Sequence, residues 1–95
     1  MSVFAVEYTY DDRAQERDAV RPAHREFLRG LLEAGDLLAS GPLADGSGAL
    51  LVVVADDDDA AADLLAADPF RAAGLILTTT ARGWSPVIGP WSSHA

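Results

Sequence analysis

The chain has 95 residues, no cysteine, and a formal charge of −8 from fifteen acidic and seven basic side chains. That length holds one core of ordinary size, with no disulfide or thiolate metal site to brace it. The negative balance repels phosphate backbones and anionic lipid surfaces, which argues against nucleic acid or a membrane as partner.

Residues 3–10, VFAVEYTY, alternate Phe4, Val6, Tyr8 and Tyr10 with Val3, Ala5, Glu7 and Thr9, the period of a strand. The first twelve residues, MSVFAVEYTYDD, carry no basic segment ahead of a long apolar run, and no apolar stretch reaches the ~20 residues of a membrane span. A cytoplasmic protein is the expectation. After the polar connection DDRAQERDAV, Pro22 suits the first turn of a helix, where its missing N–H would have no acceptor anyway. The helix is expected from Pro22 to Ala34, with Gly35 as its C-cap.

LLASGPLA at 37–44 reads as a second strand interrupted by Gly41 and Pro42, and DGSG at 45–48 supplies hairpin turn chemistry. ALLVVVA at 49–55 is apolar without alternation, as befits a central strand covered on both faces. Asp56 to Asp59 precede the helix former AAADLLAA, where acidic groups favour the positive end of the helix dipole. They read as a helix start and not as a metal site, because the glycine and distal glutamate of a calcium loop are missing. Asp68-Pro69 ends that helix, since the residue before proline avoids the α region. A helical turn, PFRAAG, then leads to a last strand at 75–84, and the tail 85–95, SPVIGPWSSHA, looks extended.

The order β-α-β-β-α-β is the α+β, ferredoxin-like plan. In it a four-stranded antiparallel sheet has strands one and three in its middle and both helices on one face. The other face would be bare, and an apolar face of that size marks an association surface. A homodimer packed sheet to sheet is expected, closed with help from Trp84 and Trp91, and the Trp-bearing tail leaves open a bridge to a higher homo-oligomer.

At about 100° per residue, His24 falls inside the apolar arc of Phe27, Leu28 and Leu31, with Glu26 and Glu33 on the far side. A histidine in the first turn of a helix, partly buried, is held neutral by the dipole and by desolvation. A neutral imidazole can accept a proton as a general base, provided its other nitrogen has an orienting partner. The same position suits a core histidine that merely donates one hydrogen bond to a carbonyl. His94, near the end, reads as a solvated tail residue.

RPAH at 21–24, the helix ending at Gly35, SGPL at 40–43 and ADPF at 67–70 occur in the order of the YciI-like, or YCII-related, domain, which the chain resembles over nearly its whole length. The resemblance implies a ferredoxin-like fold and dimeric α/β-barrel assembly. It also implies a site of one histidine and one aspartate, which fall on His24 and Asp68. Where relatives have an activity, it looks like elimination chemistry on chlorinated aromatic compounds. The loop ADGSG between strands two and three is shorter than in many relatives, so substrate choice does not carry over if that loop covers the pocket.

On this reading Asp68 accepts the Nδ1 proton of His24 and steadies the imidazolium that forms. Asp before Pro is equally a favoured helix N-cap. Gly41 and Pro42 suit a bulge at the sheet edge; alternatively, the bare Gly41 backbone, with the Ser40 hydroxyl, admits a ligand. Phe70 is a core residue or a pocket wall, and Arg21 and Arg71 are surface charges or anion contacts. The expected function is a cofactor-independent, metal-free enzyme in which His24 abstracts a proton from a small organic molecule, a lyase-like step. Two ligands fall short of the three protein ligands of catalytic zinc sites. A binding or assembly module without turnover is the alternative, and a cofactor-free oxygenase ranks behind both.

Overall fold

The computed structural model of the chain describes residues 1–94. The alternation of VFAVEYTY becomes β1 (Ser2–Tyr10), and the remaining elements are α1 (Ala14–Ala34), β2 (Leu37–Pro42), β3 (Gly48–Ala55), α2 (Asp58–Leu64), α3 (Pro69–Ala72) and β4 (Ile76–Trp84). The sheet order is β2-β3-β1-β4, every pairing antiparallel. The expected ferredoxin-like arrangement is therefore present, with β1 and β3 central. No helix among the described residues is long and apolar enough to cross a membrane.

β1 and β3 contribute alternate residues to one core: Phe4, Val6 and Tyr8 from β1, with Leu51, Val53 and Ala55 from β3. Leu28 of α1 and Ala61 of α2 pack onto that side. Removing a large side chain from such a core costs about 2–5 kcal/mol. Gly48 lets β3 start hard against β1, because a Cβ there would lie 1.9 Å from the carbonyl oxygen of Tyr8. Gly35 closes α1 in the left-handed conformation, φ 83°, as expected of a C-cap.

α1 begins eight residues earlier than the proline suggested, at Ala14. Its buried stripe runs back from Leu28 through His24 to Arg17, and an arginine on that stripe reads as polar in the sequence. Arg17 tolerates the position because Nη1 donates to the Asp11 carbonyl at 2.7 Å and to its carboxylate at 2.9 Å, while the guanidinium lies 4.4 Å from the Tyr10 ring centre. Asp11 also accepts the Arg13 amide at 3.0 Å, which turns the chain into the helix. Pro22 therefore lies inside α1, on its exposed side. There its missing donor leaves a carbonyl one turn back to water.

The face away from the helices is less bare than expected. Val3, Val52 and Val54 are buried on it, whereas Leu50 (39% exposed) and Trp84 (44%) remain open. The chain after β4 returns toward this face: Trp91 meets Trp84 edge to face at 6.3 Å and shares a shallow hollow with Ala5, Leu50 and Val52. The tail is not extended throughout, since Ser92–His94 form a 3₁₀ turn. Its last residue, Ala95, lies outside the described residues. The irregularity foreseen at Gly41 and Pro42 falls instead between Leu37 and Ala39, and Gly41 pairs in register with Leu50.

Candidate active site

His24 projects from α1 nearly three turns after the helix begins. The expected first-turn dipole therefore does not act on it, and its setting comes from side chains. Residue 68 is forced into an extended conformation by the proline that follows, with φ −56° and ψ 126°. As the N-cap of α3, Asp68 accepts the Phe70 amide on Oδ1 at 3.0 Å. The same oxygen receives His24 Nδ1 at 2.7 Å. Oδ2 accepts the Tyr8 hydroxyl at 2.8 Å. Asp68 is fully buried, and three donors satisfy it.

Capping and histidine pairing thus occur together on one oxygen, and the second oxygen is taken by a residue that motif reading did not single out. Tyr8 sits on the core face of β1 with Phe4 and Val6, and a buried tyrosine must place its hydroxyl on a partner. That rule was the available signal. Burial, reinforced by the neighbouring Asp68 charge and the bond to it, pushes the Tyr8 hydroxyl well above the usual tyrosine range. The phenol therefore stays a donor.

With its partner accepting from every side, Nδ1 of His24 carries the hydrogen in this contact. Every buried side-chain nitrogen or oxygen among the described residues has a partner. Nε2 has none among the described residues, and His24 lines the adjoining cavity. Phe70 lies flat against the imidazole, centroids 3.9 Å apart and planes 4° apart, and Tyr10 meets Phe70 edge-on at 5.9 Å. Phe70 is buried behind the ring and does not line the cavity. It packs against the imidazole plane, which fits the core reading of the two left open for it from sequence.

The cavity, of about 320 Å³, lies between α1 and β2. Leu28, Leu37 and Leu51 supply apolar wall, and Ser40, Gly41 and Pro42 supply the β2 side. Nothing lies within 4 Å of where a Gly41 Cβ would stand, and its register with Leu50 turns that open position to the face away from the helices. Arg21, Arg25 and Arg29 reach the cavity from successive turns of α1. Arg71 does not: Nη1 donates to the Ala62 carbonyl at 3.0 Å, tying α3 to α2. Of the residues named from sequence, His24, Arg21, Ser40, Gly41 and Pro42 converge here, and Asp68 stands one bond behind.

The family model for the YCII-related domain matches residues 1–85. Among solved structures, the chain is similar to 5-chloro-2-hydroxyhydroquinone dehydrochlorinase from Burkholderia phenoliruptrix AC1100, in complex with 2,5-dihydroxybenzoquinone. That likeness has a TM-score of 0.73 at 24% identity, covering 86% of this chain and 92% of that chain, and it carries the fold. No curated protein sequence matches the chain.

Proposed function

The chain belongs to the YCII-related domain family, and from that premise we propose that it is a small-molecule enzyme of the elimination type, with His24 as general base and Asp68 as its orienting partner. The observation that carries the reading is the 2.7 Å contact of Nδ1 with a fully buried carboxylate on a histidine that lines a cavity. Nε2 takes a proton from the substrate, and the electron pair of the broken bond forms a new double bond. The leaving group departs with its own pair of electrons, and Asp68 steadies the imidazolium until the proton passes to water. The dehydrochlorinase activity named for the similar structure supports this reaction class. No cofactor is required by the scheme.

The test is chloride release from 5-chloro-2-hydroxyhydroquinone or a related chlorinated ring. A general base contributes roughly 10²–10⁴ in rate, so His24→Ala and His24→Gln should lose about that factor while keeping the fold by circular dichroism. A rate unchanged in both variants would falsify the role of His24. The second reading, binding without turnover, is favoured by the cavity's single base, beside which only Ser40 and Tyr10 offer neutral polar side chains. Saturable thermal stabilisation by ring compounds that emerge chemically unaltered would establish it instead.

We further propose that two copies pair through the face away from the helices, supported by the exposed Leu50 and Trp84 there. A monomeric mass in sedimentation at micromolar concentration would overturn the pairing.

A further inference from the structure

Charge is distributed unevenly around the cavity. The chain carries fifteen acidic and seven basic side chains, so a lining drawn evenly from it would hold more acid than base. The actual lining holds Arg21, Arg25 and Arg29 and no aspartate or glutamate. Their spacing of four residues stacks them along one flank of α1, beside His24.

The three are not equivalent. Arg21 pairs with Asp18, and Arg29 lies 3.8 Å from Glu26, so each has part of its charge met by a neighbour one turn away. Arg25 has no acidic partner among the described residues. It is an unneutralised cation at the mouth of an apolar hollow whose volume, about 320 Å³, sits at the small end of ligand sites. The apolar walls focus the field of such a cluster, and the exposure of Arg25 and Arg29 lets water and salt screen part of it.

We propose that the cavity selects small ring compounds bearing one ionised oxygen group, a carboxylate or a phenolate, with Arg25 as its counter-charge and Arg21 and Arg29 extending the positive field. The inference rests on the reading of this cavity as the substrate site. The apolar ring lies against Leu28, Leu37 and Leu51, and the anionic group lies toward α1. The same field also favours the negative charge that builds on a substrate when Nε2 takes its proton.

The experiment is an NMR titration of the ¹⁵N-labelled full chain with matched probes: benzoate against benzamide, and 4-nitrophenolate against 4-nitroanisole at mildly alkaline pH. Benzoate, 4-nitrophenolate or both should shift the amides of Ser40 and Gly41 and the His24 ring, and the arms tell which oxygen acid is preferred. Each charged probe should bind at least about tenfold tighter than its neutral match, and its advantage should shrink as salt rises. Arg25→Gln should weaken charged-probe binding about fivefold and leave neutral-probe binding alone. Arg82→Gln, a change at an exposed arginine 3.8 Å from Glu7, should alter neither. Neutral and charged probes binding equally well at these amides would overturn the charge selection and leave the cavity reading standing. Shifts mapping elsewhere, or none with any probe, would sink both.

Discussion

Asp57 and Asp68 do the same local job and differ in everything else. Each is the N-cap of a short helix: Asp57 accepts the Ala60 amide at 2.7 Å, and Asp68 the Phe70 amide at 3.0 Å. Asp57 is exposed, and water meets its remaining lone pairs. Asp68 is sealed, and its remaining capacity is filled by His24 and Tyr8, from 44 and 60 positions away. A cap is a local motif. What the packed chain brings to the spare lone pairs decides whether it stays one or becomes part of a site.

The largest test of that contrast is Asp68→Ala, which strips partners from the Tyr8 hydroxyl, the Phe70 amide and His24 Nδ1 at once. Urea unfolding should show a loss of about 3–5 kcal/mol. A loss no greater than that of an exposed cap would erase the distinction between the two aspartates.

Next in size is the response to alkali. Burial raises the titration of both Tyr8 and Tyr10, so above about pH 10 the unfolded chain sheds tyrosine protons that the folded chain retains. Stability from this source is complete below that pH. It falls above it by about 1.4 kcal/mol per pH unit for each tyrosine still protonated when folded. Melting temperature followed above pH 10 should decline more steeply in the natural chain than in Tyr8→Phe, and parallel declines would remove Tyr8 from the account. The smallest expected effect is Asp57→Ala, about 1 kcal/mol, with the His24 ring resonance unmoved. A shifted ring signal would mean that the exposed cap reaches the site after all.

Most of the sheet was legible because each strand announces itself within its own span. The run ALLVVVA marks β3 as central, and burial of all but Leu50 in Ala49–Ala55 agrees. The start of α1 was not legible. Arg17 looks like a solvent residue, and only its pairing with Asp11 and its place over Tyr10 make it part of the buried stripe. That misplacement also attached a helix-end field to His24, although the periodicity argument had aimed the ring correctly. In the site, Tyr8 shows the same limit, because strand alternation puts its ring in the core without naming the atom its hydroxyl meets.

By itself, the sequence determined the order and kind of the elements, the central place of β1 and β3, and the inward face of His24, since each follows from spacing along a single segment. The pairing of His24 with Asp68 came from the family resemblance, while tertiary packing alone decided that Tyr8 would join them on Asp68, that Phe70 would stand behind the imidazole, and that three arginines would share a cavity with it. Periodicity orients a side chain relative to its own helix or strand. The distance between atoms of different elements depends on how helices settle on the sheet, and no single segment carries that information.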